Sequence, residues 1–444
     1  MINLDYFKNK KVLIMGLGSH GGGVGVTKFF VKIGANVIVT DLKTEKELKK
    51  SLEKLKEYKI KYVLGRHKEE DFKNADIIIK NPAVPRDSYF LRIAKKNKIP
   101  IHTDVSLYFL LSPAFTIGIT GTKGKSTTSN FIFNILKKKY NCFLVGVAGK
   151  SFLEVLPKLK QKSIVVAEIS SWQLESLIYV KKSPQISVIT NIDKDHLNTY
   201  KSLLDYQKAK FNIARWQKED DFLFLNNNLK NLYKKFKKMW NIKSKVIFYK
   251  YSKYFEKELK KEGFKFFGKG AVENAKVSFL IGRKFGLEKK EILKILSKIK
   301  PLFGRLEPIE KFKKLWINDT CSTNPYSTIN SILAFNKKIV LITGGTDKNL
   351  DFENLAKVIQ KRVKLLILLK GSATEKLKKE LKKLKIDEYF ETDNLKEAMI
   401  FANQKSKPKD IILFSPAAAS FELFKDEFDR GRKFKKYLTT DKYG

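Results

Sequence analysis

Two glycine loops and a set of strand-end acids carry the chemistry open to this chain. The stronger loop is Gly121-Thr122-Lys123-Gly124-Lys125-Ser126-Thr127-Thr128, which follows the strand-like run Thr116-Ile117-Gly118-Ile119-Thr120 and opens a helix expected to reach Leu136. Successive backbone N–H groups in such a loop cradle triphosphate oxygens, with Lys125 on the β/γ-phosphates and a hydroxyl on Mg²⁺. It is shorter than the general phosphate loop, since only two residues separate Gly121 from Gly124. The other loop, Gly16-Leu17-Gly18-Ser19-His20-Gly21, fits G-x-G-x-x-G, and Asp41 stands about 20 residues on, where a ribose-binding acid would be. Alone it suits a dehydrogenase as well as any other nucleotide enzyme. Hydride transfer has no use for the Gly121–Thr128 loop. Downstream, Glu168 ends a buried-looking strand, and Asn191-Ile192-Asp193-Lys194-Asp195-His196 follows the run Val188-Ile189-Thr190. A carboxylate and an imidazole at the C-terminal ends of neighbouring strands face a triphosphate, so Glu168 and His196 are read as metal or substrate contacts.

Those groups need a scaffold that lines up strand ends. Short β-branched runs alternate with lysine-rich helical stretches throughout: Val37-Ile38-Val39, Ile77-Ile78-Ile79, Ile164-Val165-Val166, Ile339-Val340-Leu341-Ile342 and Leu365-Leu366-Ile367-Leu368-Leu369. That alternation predicts parallel sheets flanked by helices. Boundaries are expected near Pro100–Thr103 and near Pro301–Gly304, where helical patterns end in Pro and Gly.

Composition narrows the class further. The chain has 444 residues, 43% hydrophobic and 31% charged, enough apolar material for several cores and too much for disorder. Cys142 and Cys321 cannot build a disulfide framework, so a reduced cytoplasmic setting is expected. No secretory leader is expected, and Leu107 to Thr120 is too short to span a bilayer, so no membrane insertion is expected. Lys plus Arg is 90 against 46 Asp plus Glu, a net +44, yet only nine of the ninety are arginines. Lysine is densest from Lys230 to Lys269, interleaved with Tyr, Phe and Trp. This is either a nucleic-acid surface or a solvated face in a lineage that favours lysine. No groove-reading motif accompanies it, so nucleic acid is not the expected partner; the field still draws anionic substrates.

In order and along the full length, these motifs resemble the Mur ligase family, ATP-dependent amide-bond formers of peptidoglycan synthesis. The Gly121–Thr128 loop and the block Glu168-Ile169-Ser170-Ser171-Trp172-Gln173-Leu174-Glu175 resemble the D-glutamate-adding branch more than the L-alanine-adding one. Folylpolyglutamate synthases share the later parts without the N-terminal glycine-rich domain. The resemblance implies three α/β domains: a Rossmann-like UDP-substrate domain at 1–103, a central phosphate-loop ATPase with a mostly parallel sheet at 104–301, and a Rossmann-like amino-acid domain at 302–444. It implies that ATP phosphorylates the carboxylate of UDP-N-acetylmuramoyl-L-alanine, that the amine of D-glutamate attacks the acyl phosphate, and that phosphate leaves.

The same resemblance distributes roles. Gly121, Thr122, Lys123, Gly124, Lys125, Ser126, Thr127, Asn274, Arg305 and Asp319 would bind ATP. Ser126 and Glu168 would hold a first Mg²⁺, with His196 at a second. Lys210, in Tyr206-Gln207-Lys208-Ala209-Lys210, matches a lysine that CO₂ carbamylates into an anionic metal ligand; by composition alone it would be solvated surface. Gly18, Ser19, Asp41, Ser170, Thr323, Lys348, Ser420 and Phe421 would bind the substrates. A monomer is expected. Some positions depart from the family pattern: Val147 replaces an asparagine, Gly270-Ala271-Val272-Glu273-Asn274 keeps one of two asparagines, Cys321 replaces a lysine, and an aromatic is displaced to Phe428. They leave room for another amino acid or a folate-type polyglutamate. A nucleic-acid-stimulated ATPase is the rival from another class.

Overall fold

A computed structural model describes residues 4–18, 21–85, 87–147, 151–193, 200, 202–420 and 423–439. Ser19, His196 and Phe421 lie outside the described residues. The chain builds three α/β domains, each around one sheet. The first sheet has the order β3-β2-β1-β4-β5, from β1 (Lys11–Met15), β2 (Asn36–Asp41), β3 (Lys61–Leu64), β4 (Ile77–Lys80) and β5 (Ile101–His102). All its pairings are parallel, and the order reverses between β1 and β4. Ligands bind beyond the strand ends at such a switch point.

The second sheet is also wholly parallel. It comprises β6 (Phe115–Thr120), β7 (Cys142–Val145), β8 (Ile164–Glu168), β9 (Ile186–Ile189), β10 (Phe222–Asn226) and β11 (Lys245–Tyr249), in the order β11-β10-β9-β6-β8-β7. Its central strands are buried on both faces, as a doubly covered sheet requires. The third holds β12 (Glu307–Lys311), β13 (Lys314–Asn318), β14 (Ile339–Gly344), β15 (Val363–Leu369), β16 (Phe390–Thr392) and β17 (Ile411–Phe414), in the order β12-β13-β17-β14-β15-β16. It is mixed, because β12 and β13 form an antiparallel hairpin. The hairpin turns through Phe312 and Lys313, both at positive φ, the geometry of a two-residue turn that matches strand twist.

The chain falls into two compact units. Met1–Tyr251 with Glu273–Leu296 holds the first two sheets, and Ser252–Val272 with Ser297–Gly444 holds the third. The first two domains share one apolar core: Val26 and Phe29 of helix Gly22–Lys32 belong to the same cluster as Val105, Tyr108, Phe152 and Leu153. Ser252–Val272 groups with the third sheet although it precedes the boundary expected at 301; Phe267 packs on Phe335, ring centroids 5.2 Å apart.

Helix Asp104–Leu111 begins the second domain, capped by Thr103, whose Oγ1 accepts from the Ser106 amide at 3.1 Å. The Asp104 carboxylate is wholly buried there. Burial pushes it up from 3.8 to about 6, although the amides of Val105 and Phe152 pull the other way. The fold therefore holds a proton that the unfolded chain has lost between those two values. This contribution to stability falls as pH rises through that window and stays low above it. The difference in unfolding free energy between Asp104→Asn and the parent, read from denaturant melts, should accordingly grow in the variant's favour from about pH 4 to pH 7, by up to about 3 kcal/mol. A difference independent of pH would refute the assignment.

Candidate active site

The glycine–lysine loop leaves β6 and feeds helix Lys125–Leu136, whose N-terminal amides favour an anion. Two positions in it admit only glycine. A Cβ on Gly121 (φ 150°) would lie 1.9 Å from Thr190 Oγ1, and one on Gly124 (φ 82°) would lie 2.8 Å from Asn274 Oδ1. The loop's shape is set from outside. Asn191 accepts the Thr122 amide on its backbone oxygen at 2.9 Å and the Lys123 amide on Oδ1 at 2.8 Å, and its Nδ2 donates to the Lys123 carbonyl at 3.1 Å. Thr190 Oγ1 donates to the same carbonyl at 2.6 Å. Lys125 Nζ arches back to the carbonyls of Gly121 (3.0 Å) and Thr122 (3.2 Å). The Thr122 hydroxyl is buried, meeting Tyr206 OH at 3.0 Å and accepting the Asp193 amide at 3.0 Å, so it ties the loop to its neighbours. Ser126 and Thr127 lie half-buried in the first turn of the helix, and Asn274 packs against Gly124.

Sheet register brings the strand-end acid beside this loop. Glu168 pairs with Ile119, one residue before β6 ends, and β9 flanks β6 on its other side. Among the described residues, the Glu168 Oε2 atom is buried without a hydrogen-bond partner. A carboxylate oxygen left this way next to hydroxyls and loop amides fits a hard, oxygen-seeking cation such as Mg²⁺. Lys210, in helix Leu203–Phe211, is buried against the same loop. Its Nζ donates to the Gly121 carbonyl at 2.9 Å and stands 4.6 Å from the Tyr206 ring centre. The packing brings Lys125, Glu168 and Lys210 to one strand edge.

A cavity of about 730 Å³ opens at the switch point of the first sheet, lined by Gly18, Asp41, His67, Lys80, Asp104 and Trp172 among others. The last two come from the second domain. Asp41 is buried and spends its oxygens locally: Oδ2 accepts the Gly18 amide at 3.1 Å and Oδ1 the Lys43 amide at 2.9 Å. It pins the glycine loop. His67 Nδ1 lies 2.6 Å from Thr40 Oγ1; burial pushes the imidazole down, while the Asp41 charge pulls it up. Ser170 caps helix Ser171–Leu174, its Oγ accepting the Gln173 amide at 3.3 Å.

In the C-terminal unit, the loops after β13, β14 and β17 share one strand edge, because these strands are adjacent. Thr323, Lys348 and Ser420 sit on them. Lys348 is exposed, Thr323 half-buried, and Ser420 buried with an Oγ that has no partner among the described residues. Arg305 is exposed in the turn before β12. Asp319, expected at the ATP ribose, is instead enclosed. Its Oδ2 accepts from Ser331 (2.6 Å) and Ser415 (2.8 Å), and its Oδ1 accepts the Leu306 amide (3.1 Å). Burial pushes that carboxyl up against these bonds and one from Ser322. Phe428 is exposed and stacks with Phe303 at 6.4 Å.

Four organising residues escape the sequence reading. Asn191 shapes the phosphate loop, and His67 and Asp104 line the first cavity. Arg430 lies 1% exposed, where it donates to the Ala418 and Ala419 carbonyls and to the backbone and hydroxyl of Thr320. Burial pulls its guanidinium down to about 10.

Comparison with known proteins follows the same division. The description "Mur ligase MurD-like, N-terminal domain" matches residues 10–103, "Mur ligase middle domain" matches 119–283, and "Mur ligase, glutamate ligase domain" matches 304–418. The chain is 39% identical to the UDP-N-acetylmuramoylalanine--D-glutamate ligase of Borreliella afzelii, over 98% of this chain and 99% of that protein. It is 33% identical to the protein of the same name from Clostridioides difficile, over 96% and 98%. Among solved structures, UDP-N-acetylmuramate-alanine ligase MurC of Thermotoga maritima superposes with a TM-score of 0.59 at 19% identity, covering 96% and 98%. MurF ligase of the same organism, in complex with ADP, gives 0.60 at 14%, covering 99% and 96%.

Asn191→Ala removes two side-chain bonds that shape the loop and touches nothing else named in the site. Each such bond contributes about 1 kcal/mol, so affinity for a non-hydrolysable ATP analogue should fall about tenfold or more by calorimetry. Unchanged affinity would show that the loop holds its form without Asn191.

Proposed function

This chain belongs to the Mur ligase family, and we propose that it joins D-glutamate to UDP-N-acetylmuramoyl-L-alanine at the expense of ATP, in peptidoglycan precursor synthesis. The observation that carries the reading is the phosphate loop with an uncommitted, buried Glu168 oxygen one strand away. Full-length similarity to D-glutamate ligases supports the choice of amino acid. In this reading the domains run 1–103, 104–301 and 302–444, and the chain works as a monomer in the cytoplasm. Among the described residues, no helix is long and apolar enough to cross a membrane.

A free carboxylate is a poor electrophile, because its charge repels a nucleophile and oxide is not a leaving group. Transfer of the γ-phosphoryl group to a carboxylate oxygen makes a mixed anhydride. The amine of D-glutamate adds to that carbonyl carbon, loses a proton, and phosphate departs with the electron pair. The loop amides and Lys125 hold the transferring phosphates, and Ser126, Thr127 and Glu168 supply oxygen ligands. Mg²⁺ bound there neutralises clustered phosphate charge and aligns the reactants; two ions fit the reading. Asn274 lies against Gly124 and bounds the nucleotide side of the loop. His196 serves the second ion. The first cavity takes the UDP substrate on Gly18, Ser19 and the loop that Asp41 pins, with Ser170 positioning the neighbouring helix. Arg305 takes a nucleotide phosphate, which suits its fork of donors. Thr323, Lys348, Ser420 and Phe421 hold the amino acid, Lys348 pairing with a carboxylate and Ser420 offering its unpartnered hydroxyl.

Lys210 is the carbamylated residue in this reading. Its ammonium loses a proton, the amine forms an N–C bond to CO₂, and a second proton leaves, so a cation becomes an anionic oxygen ligand. Burial against the loop supports this, since an exposed carbamate would hydrolyse.

The decisive experiment offers single amino acids to the purified protein with ATP, Mg²⁺ and UDP-N-acetylmuramoyl-L-alanine, and follows phosphate release. Turnover is expected with D-glutamate, dependent on the UDP substrate and indifferent to DNA or RNA. Turnover with L-amino acids alone would overturn the specificity. For Lys210, stripping CO₂ and bicarbonate from the buffer should lower the rate of the parent reversibly. The Lys210→Met variant should be slower by about 10²-fold or more and blind to bicarbonate. A parent rate insensitive to CO₂ would dismiss the carbamate.

A further inference from the structure

From Phe222 to Phe255 the sequence contains nine lysines and no Asp, Glu or Arg. In the first unit this stretch forms β10, helix Lys230–Trp240 and the edge strand β11. The helix has a clear inner face. Tyr233 and Phe236 are buried, and Phe236 stacks on Phe211 at 4.3 Å. Its outer face carries Lys230, Lys234, Lys235, Lys237 and Lys238, all exposed, with Lys243 just beyond. None of these six makes an ion pair or hydrogen bond among the described residues. Other lysine-rich helices of this chain are built differently. Glu69–Lys73, Glu353–Lys357, Glu375–Lys378 and Glu380–Lys383 each join neighbouring turns within 3.0 Å. Like charges one turn apart destabilise a helix, so this face carries a repulsion that the other helices relieve internally.

We propose that the outer face of helix Lys230–Trp240, with Lys243, docks on an anionic lipid bilayer. Charge complementarity names the class, and three details select a membrane over a nucleic acid. The cations are lysines, compact point charges suited to a smeared anionic surface, where bidentate phosphate reading would use arginine. The indoles that could stack on bases are engaged: Arg215 stands 5.0 Å from the Trp216 ring centre and 4.7 Å from that of Trp240. Beside them Met239 is 44% exposed, an apolar side chain among the cations at the level where headgroups would lie. The helix lies flat, because its apolar face belongs to the protein core. The surface is remote from the chemistry: β11 is the sheet edge, three strands from β6.

Co-sedimentation of the full chain with vesicles of phosphatidylcholine containing about 30 mol% phosphatidylglycerol tests this at about 0.15 M salt. Binding is expected to those vesicles and not to phosphatidylcholine alone. The combined variant Lys234→Gln, Lys235→Gln, Lys237→Gln, Lys238→Gln should bind at least about tenfold more weakly, with unchanged ligase turnover and a thermal midpoint no lower than the parent's. A control replacing the exposed Lys379, Lys382, Lys385 and Lys396 by Gln should stay within about twofold of the parent. Equal loss in both variants would reduce the effect to diffuse net charge and overturn the proposal. So would absence of binding at that salt, or tighter binding of a single-stranded RNA through the same four lysines.

Discussion

In a parallel sheet every strand ends on the same edge, so whatever follows each strand is delivered to one line in space. Most groups with chemistry in this chain hang from such an edge. The glycine–lysine loop follows β6 and Glu168 closes β8, paired in register across a single strand spacing. Gly18, Asp41 and Lys80 stand at the ends of β1, β2 and β4 in the first sheet. Thr323, Lys348 and Ser420 follow β13, β14 and β17 in the third. Residues tens of positions apart become neighbours without any of them being specified by local sequence. The apolar, β-branched strands that enforce this hold no chemistry themselves.

The same constraint sorts the carboxylates. A buried acid is tolerated when its oxygens are spent on amides and hydroxyls, and three of them are. Asp41 takes two amides, Asp104 takes those at its own helix start, and Asp319 takes Ser331, Ser415 and the Leu306 amide. These acids shape loops. Glu168 differs in keeping an oxygen buried and unspent. An isolated buried carboxylate oxygen costs free energy unless a cation or donor meets it, so this oxygen calls for a partner that the described side chains do not supply.

Much of this was legible in the residues alone, and the limit has a physical form. The phosphate loop, its strand and its helix can be read because steric and dipolar demands act within about ten residues. The parallel architecture can be read because strands covered on both faces are apolar throughout. Asp41 is legible in position and not in its bonds: a strand-end acid looks the same whether or not it takes the amide of Gly18. Asp319 shows the same ambiguity from the other side. Asn191 and Arg430 are invisible to local reading, because their partners lie 68 and 110 residues away. An asparagine after a strand and an arginine in a basic helix carry no mark of what they will fasten.

Lysine abundance poses the converse problem, since net charge is a sum and erases arrangement. A chain at +44 invites a polyanion reading everywhere, and three of its helices answer that reading by supplying their own glutamates one turn away. Screening confines exposed charges to about 8–10 Å, so only local imbalance can select a partner. By that measure a lysine beside a glutamate is nearly silent. The acid-free run from Phe222 to Phe255 is where the excess becomes a surface property instead of a compositional one. Folding concentrates it, because burying Tyr233 and Phe236 turns every lysine of that helix to one side.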